Sequence, residues 1–223
     1  MRTVPILSLP ALAVALLVSA CGSSEMTRDT TLLRDVASEV FSRPDPVPDR
    51  TPPVALTRAQ VQASPLPLLV AEMERIRSNA VLAQIGANRG VRTFSTADGV
   101  TLALDSGMLV ATRGLAGDLM SAAAPPAARI AAGSGGHARS LWFLGDLDRS
   151  DRQDFACTLQ SAGSETIAIV GRSHATRVVD EHCSGESASF TNRFWLDSGG
   201  RIRQSRQWAG ETVGFLKLSD PSG

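Results

Sequence analysis

The chain has 223 residues, with 22 basic and 22 acidic side chains and a formal net charge of zero. This balance gives no bulk electrostatic attraction for nucleic acid, which binds proteins mainly through basic surfaces. The length suffices for one domain with a substantial core. Without the N-terminal segment, the chain is short for two full domains.

The N-terminus has the order of charge, apolar run, small residues and cysteine that is typical of an export signal. Arg2 supplies the charge, and Val4–Val18 carries none. This run is shorter than the roughly 20 apolar residues that span a bilayer, but it suits a signal-peptide core. The stretch Val18-Ser19-Ala20-Cys21 resembles the lipobox of bacterial lipoproteins. We therefore expect residues 1–20 to be removed and Cys21 to be acylated; a plain secreted protein is the alternative.

Residues 21–55 are predicted to form a lipid-anchored tether that contains a short helix and a proline-rich linker. Apolar residues recur at helical spacing over Thr31–Phe41, which predicts the helix. Five prolines between Pro44 and Pro53 favour an extended linker. A single β-rich domain is predicted at residues 56–223, and it begins with a helical turn at Thr57–Val61.

From about Ala80 onwards, short apolar or alternating runs separated by glycine-rich turns predict β-strands. The fold class is mainly β: a curled antiparallel sheet, as a half-barrel or a sandwich, with one or two short N-terminal helices. Residues 68–82 also fit an amphipathic helix, and Ala122–Gly136 is interpreted as a loop or irregular crossover. The strands are predicted near residues 79–86, 90–96, 99–104, 108–113, 139–145, 153–160, 165–171, 174–182, 188–197, 200–208 and 212–218.

Two cysteines, Cys157 and Cys183, remain beyond Cys21. An even pair in an exported chain predicts a disulfide. Closing a loop of this size contributes on the order of 3–4 kcal/mol to stability. Two unpaired buried thiols are the alternative.

The residue types that carry catalysis or bind metals do not form a recognisable set in this sequence. His174 and His182 can share a strand face but are too far apart to share a metal ion, and His137 is remote in sequence. Ser134 lies in a glycine-rich stretch without the Gly-x-Ser-x-Gly elbow of hydrolases, and Asp146–Asp151 lacks the rest of a calcium loop. We therefore predict no catalytic residue, no metal site and no cofactor.

The C-terminal hairpin offers a candidate surface for a glycan or a protein partner. Arg193 and Trp195 share one face of a predicted strand, and Arg201 and Arg203 share a face of the next. Tryptophan can stack on sugar rings, and arginine forks suit the carboxylates of acidic polysaccharides. The alternative is that these residues only solvate the outer face of a sheet.

Several stretches in order behind the lipobox resemble the YjbF/GfcB family of outer-membrane lipoproteins, which are encoded with group 4 capsule and exopolysaccharide genes. The clearest are residues 95–102, 107–115, 192–197 and 200–207. The resemblance runs from Cys21 almost to the C-terminus and is weakest over Ala122–Gly136. The pair Cys157 and Cys183 departs from what this family generally leads one to expect.

This resemblance implies a mostly β, non-catalytic lipoprotein at the periplasmic face of the outer membrane that assists capsule or exopolysaccharide assembly or export. Its implied partners are the membrane, through acyl chains on Cys21, an acidic polysaccharide, and other export proteins. No catalytic residues carry over, because none are established for the family. The alternative is a lipid or lipoprotein carrier like LolA or LolB, since the stretch Trp195–Gly200 is loosely similar to a hairpin of those proteins. Such a carrier needs a sizeable apolar cavity within the sheet.

Overall fold

The computed structural model describes residues 56–145 and 150–222. Several predicted features lie outside these ranges: the signal peptide, the acylation site Cys21, the tether at residues 21–55 and the helix at Thr31–Phe41. Residues 146–149 of the acidic stretch lie outside them as well. Within the described ranges, no helix is both long enough and apolar enough to span a bilayer.

Twelve β-strands in the described ranges account for most of the ordered structure. Most alternate between buried and exposed positions, as expected of strands with one face on a core. In chain order they are β1 (Leu68–Met73), β2 (Ser78–Asn88), β3 (Val91–Ser95), β4 (Thr101–Asp105), β5 (Met108–Arg113), β6 (Leu119–Ala123), β7 (Ser134–Leu144), β8 (Ser150–Ile169), β9 (Arg172–Gly185), β10 (Ser189–Leu196), β11 (Ile202–Trp208) and β12 (Phe215–Ser219).

All twelve strands belong to one curled antiparallel sheet, in the spatial order β5-β4-β3-β2-β1-β12-β11-β10-β9-β8-β7-β6. The chain thus forms two meanders of consecutive hairpins, β1–β5 and β6–β12. They meet in the middle of the sheet, where β1 pairs with β12 in the register Val70 to Ser219 and Met73 to Leu216. The predicted fold class is confirmed.

The two edge strands, β5 and β6, lie side by side, so the sheet is nearly closed. Arg113 donates from Nη1 to the carbonyl oxygen of Leu119 at 3.1 Å and from Nη2 to that of Met120 at 3.2 Å. The backbone N–H of Leu119 donates to Thr112 Oγ1 at 2.9 Å, and that hydroxyl donates to Asp118 Oδ1 at 2.9 Å. Side chains therefore hold this seam, whereas backbone ladders hold the other strand neighbours.

An aromatic cluster fills the inner face of the second meander. Phe190 stacks on Trp208 with ring centroids 4.5 Å apart, and Phe155 meets Phe190 edge-on at 4.9 Å. Phe143 contacts Trp208 edge-on at 5.8 Å. Offset-stacked and edge-on geometries are the favourable arrangements for aromatic rings. Leucines of the first meander complete this core.

Two short helices complete the described domain. Helix α1 (Arg58–Ala63) has a capping box in which the Thr57 N–H donates to Gln60 Oε1 at 2.8 Å and the Gln60 N–H donates to Thr57 Oγ1 at 3.3 Å. It confirms the predicted helical turn. Helix α2 (Ala127–Ala132) forms where the sequence predicts a loop. Alanine is the strongest helix former, and the fully buried Ile130 fixes this helix on the core.

Strand β8 is longer than predicted, because the Gly163 region is a bulge and not the end of a strand. The register with β9 shifts between Ser161 and Ser164, and Gly163 has φ 91°, which a glycine adopts without strain. The extra residue reverses which face the following side chains point to. Ile167 and Ile169 therefore pack on the outer face of the sheet, with Val178 and Trp195.

The structure also shows whether residues 68–82 form strands or a helix. It is two strands joined by a single 3₁₀ turn at Glu74–Ile76, and no amphipathic helix forms there. The reason is tertiary: β1 is bonded to β2 on one side and to β12 on the other, and this outweighs an ambiguous local pattern. The crossover predicted at Ala122–Gly136 is likewise replaced by the end of β6, helix α2 and the start of β7.

Candidate functional site

A buried carboxylate, Glu181 on β9, is the centre of a polar network on the inner face of the sheet. Its side chain is fully buried. His137 Nε2 lies 2.7 Å from Oε1, and Arg139 donates to the same oxygen from Nε at 3.3 Å and Nη2 at 3.1 Å. Asn192 Nδ2 donates to Oε2 at 2.6 Å. The Asn192 side-chain oxygen in turn accepts the backbone N–H of Trp208 at 2.7 Å.

The electrostatics of Glu181 favour its ionised form. Burial alone would raise the pKa of this carboxyl, but the hydrogen bond from His137, the charge of Arg139 and the hydrogen bond from Asn192 outweigh it and lower the pKa below its ordinary value. Arg139, which is itself buried, supplies the compensating charge. The network therefore stabilises a charge pair inside the core.

His137, Cys157 and Glu181 place ligand-type atoms within 4.8 Å of one another. Cys157 is joined to Cys183 in a disulfide, which leaves one imidazole and one carboxylate that already pairs with Arg139. A structural zinc site takes four ligands, so these residues do not fit one in the oxidised protein. The Nδ1 atom of His137 is buried and finds no hydrogen-bond partner among the described residues.

The disulfide confirms the pairing predicted for Cys157 and Cys183. The two residues lie directly opposite each other on β8 and β9, with Cα atoms 4.1 Å apart. His137 on β7 and Phe190 on β10 continue the same row across the sheet. The disulfide therefore links the two strands between the aromatic cluster and the Glu181 network.

The predicted glycan or partner surface is partly covered in the structure. Trp195 is only 8% exposed, because the tip of the β8–β9 hairpin packs over it and Glu165 Oε2 accepts its indole N–H at 2.7 Å. Each predicted arginine has an internal carboxylate partner. These ion pairs are Arg193 with Asp180, Arg203 with Asp197, and Arg201 with Asp220.

A groove of about 500 Å³ lies on the outer face of β8, β9 and β10, directly behind the disulfide. Its polar side chains are all hydroxyls and one imidazole. His182 Nδ1 lies 3.0 Å from Thr191 Oγ1, and the hydroxyls of Ser184 and Ser189 are 3.1 Å apart. Thr158 is directly opposite His182. The sequence analysis did not single out this groove.

Comparison with known proteins identifies the family. A model of the family described as "Group 4 capsule polysaccharide lipoprotein gfcB, YjbF" matches residues 33–219. The chain belongs to this family. The "Uncharacterized lipoprotein YjbF" of Escherichia coli (strain K12) is 42% identical over 48 residues, which make up 22% of this chain and 23% of that protein. The alignment thus spans less than a quarter of that relative. The family resemblance found in the sequence is confirmed.

A solved structure shares the fold of this YjbF-family chain. The crystal structure of the hypothetical lipoprotein YmcC from Escherichia coli (K12) superimposes with a TM-score of 0.68 and 19% sequence identity. The match covers 86% of this chain and 96% of that one. At this identity the likeness shows the shared fold alone.

An apolar cavity on the inner face of the first meander of this YjbF-family sheet is small. It measures about 50 Å³ and is lined mainly by apolar side chains, among them Ala71, Leu82, Leu102 and Leu216. Binding sites for small organic ligands are roughly 300–1,000 Å³, and the aromatic cluster packs the other half of the interior. The described interior therefore gives no support to a carrier that holds an acyl chain as LolA or LolB would.

Sequence reasoning missed Glu181, His137 and Arg139 as one network because they come from strands about forty residues apart. One signal was available. Residues two apart on a strand share a face, so a buried Cys183 already implied that Glu181 points into the core. A buried carboxylate requires a cationic or donor partner, but the sequence does not show which one.

Proposed function

We propose that this chain is a non-catalytic lipoprotein at the periplasmic face of the outer membrane that assists the assembly or export of capsule or exopolysaccharide. The observation that carries the proposal is the family match over residues 33–219, since the family is described by group 4 capsule polysaccharide. The lipobox before Cys21 supports the location.

The proposed membrane attachment depends on acyl chains at Cys21. After removal of residues 1–20, Cys21 carries the acyl chains, and residues 21–55 tether the β-rich body to the membrane. Each buried methylene contributes about 0.8 kcal/mol, and two or more chains anchor a protein stably. The folded body then works close to the membrane surface.

The buried network supports a non-catalytic role. A general acid or base must come within hydrogen-bond reach of its substrate. Glu181 is fully buried, and its two oxygens already accept hydrogen bonds from His137, Arg139 and Asn192. The arrangement stabilises the fold and leaves the outer surface for contacts with glycans and proteins.

A complementation experiment in the native host tests the proposal. The gene is deleted and replaced by the wild-type gene or by Cys21→Ser, and exported polysaccharide is measured as total hexose and uronic acid. We expect export to fall on deletion and to return with the wild type but not with Cys21→Ser. Radiolabelled palmitate should label the wild type alone, in the outer-membrane fraction. Unchanged polysaccharide export in the deletion strain would contradict the proposed function.

A further inference from the structure

The groove on the outer face of β8–β10 is built from two neighbouring rows of the sheet. One row aligns Ala156, Ser184 and Ser189, and the other aligns Thr158 and His182, with Thr191 beside them. The backbones of Cys183 and Phe190 form its floor. Because strands are spaced about 4.8 Å apart, this surface crosses three strands and is about 10 Å wide.

The chemistry of the groove is that of an uncharged, hydrogen-bonding surface. Its described lining contains no carboxylate, guanidinium or ammonium group. Hydroxyls and imidazole both donate and accept hydrogen bonds, as do the hydroxyls of a sugar. All but Thr191 among the polar lining residues are exposed, so their free hydrogen-bonding capacity faces solvent.

Two pairs of charged residues border the groove, and the members of each pair bind one another. Arg193 binds Asp180 through two hydrogen bonds of 2.7 Å, and the Arg152 Nη2 lies 3.0 Å from Asp154 Oδ1. These pairs carry no net charge along the two borders. An anionic ligand therefore finds no unpaired cation in these two pairs. A neutral polyol needs no such cation and can bind in the groove between the two pairs.

We propose that this groove binds an uncharged stretch of a polysaccharide chain, with Thr158, His182, Ser184, Ser189 and Thr191 as its hydrogen-bonding residues. The inference rests on the proposed function, because a role in polysaccharide export is what brings a long glycan to this protein. It assigns the contact to residues other than Trp195 and Arg203, at the end of the outer face nearer the β9–β10 turn.

Affinity electrophoresis of the full-length acylated protein in mild non-ionic detergent tests this inference. The gels contain the exopolysaccharide purified from the native host, neutral dextran, acidic polygalacturonate or no polymer. We expect retardation by the host exopolysaccharide that persists in 0.5 M salt, because hydrogen bonds between uncharged groups are not screened. Retardation by polygalacturonate that salt abolishes would instead indicate charged recognition and overturn the inference.

Two variants locate the contact. Ser184→Tyr fills the groove, and Ser173→Tyr is its matched control on the same strand, where Ser173 is exposed on the distal part of the β8–β9 hairpin. The double variant His182→Ala with Thr191→Val removes hydrogen bonds without adding bulk. We expect about tenfold weaker binding in the two groove variants, the scale of one or two lost hydrogen bonds, and wild-type binding in Ser173→Tyr.

The outcomes separate the inference from the proposed function. Equal retardation of the wild type and both groove variants would show that glycan binds elsewhere, and absence of retardation on every gel would show that the groove binds none. Either result overturns the inference. The proposed role in export is tested separately, by the polysaccharide export of the deletion strain. If Ser184→Tyr is misfolded by circular dichroism, the double variant decides alone.

Discussion

The two faces of strands β8, β9 and β10 carry polar side chains in opposite states. On the inner face, Glu181 and Asn192 are fully buried and their side-chain oxygens and amide are matched to partners. On the outer face, Thr158, His182 and Ser184 are exposed. The alternation of a strand thus separates polar groups that hold the fold from polar groups free to contact another molecule. Substitutions on the two faces should therefore have opposite consequences.

The largest loss of stability is expected for Glu181→Ala. It leaves the buried guanidinium of Arg139 without its counter-ion, and breaking a buried pair in this way costs about 3–5 kcal/mol. The free energy of unfolding in urea measures the loss. Glu186→Ala, at an exposed position of the β9–β10 turn, is the control and should stay within about 0.5 kcal/mol of the wild type. Similar values for both variants would contradict the structural role of the network.

Removing the disulfide should have the next largest effect. Cys157→Ala with Cys183→Ala opens a loop with a sequence separation of 26 residues, and we expect a loss of about 2–4 kcal/mol. Urea unfolding with and without a reducing agent measures it, since the reductant should lower the wild type alone. If the reductant leaves the free energy of unfolding of the wild type unchanged, even when it acts on the unfolded chain, the result would argue against the bond.

The inner network should also make stability depend on pH. The pKa of Glu181 in the folded protein is lowered from an ordinary value of 4.5. A lowered carboxyl pKa stabilises the fold fully above the unfolded-state pKa, and this contribution is lost as the pH falls through the folded pKa. The free energy of unfolding should therefore decrease below about pH 4.5, and less steeply in Glu181→Gln. Identical slopes for the two proteins would refute this assignment.

A smaller effect is expected where the outer face is covered. Ile167 is buried against Val178 and Trp195 by the tip of the β8–β9 hairpin, so Ile167→Val should cost about 0.5–1.5 kcal/mol. Its exposed neighbour Thr166 gives the control Thr166→Val, which should be nearly neutral. Thermal unfolding of the two variants makes the comparison. Equal melting temperatures would mean that the tip does not pack on the sheet.

The smallest effect on stability is expected in the open groove. His182→Ala with Thr191→Val should change the free energy of unfolding by less than about 0.5 kcal/mol, the usual range for surface substitutions. The same variant should lose glycan retention. A loss of stability comparable to that of Glu181→Ala would erase the contrast between the two faces.

Local patterns predicted the features that depend on neighbouring residues. A strand is predicted near residues 188–197, and in the structure Phe190, Phe194 and Leu196 share the face of this strand that is buried in the core. The pattern Thr57 to Gln60 gave the start of a helix. The two cysteines gave the disulfide because their number left one pairing once Cys21 was assigned to acylation.

Features that depend on distant residues could not be predicted in the same way. The bulge at Gly163 looks like a turn, because only the register against β9 shows that the strand continues. Burial of Trp195 follows from that bulge, which turns Ile167 and Ile169 to the outer face. The partners of Glu181 lie on β7 and β10, and no spacing within the sequence joins them.

The central position of β1 has a mechanical consequence. A pull on the chain before residue 56 enters the sheet through β1, which is bonded to β2 along Leu68–Met73 and to β12 along Val70–Met73. Such a force must break the hydrogen bonds of both ladders together. An edge strand has one ladder only, and its hydrogen bonds would break one at a time. Tension on the chain ahead of β1 would therefore act on two ladders at once.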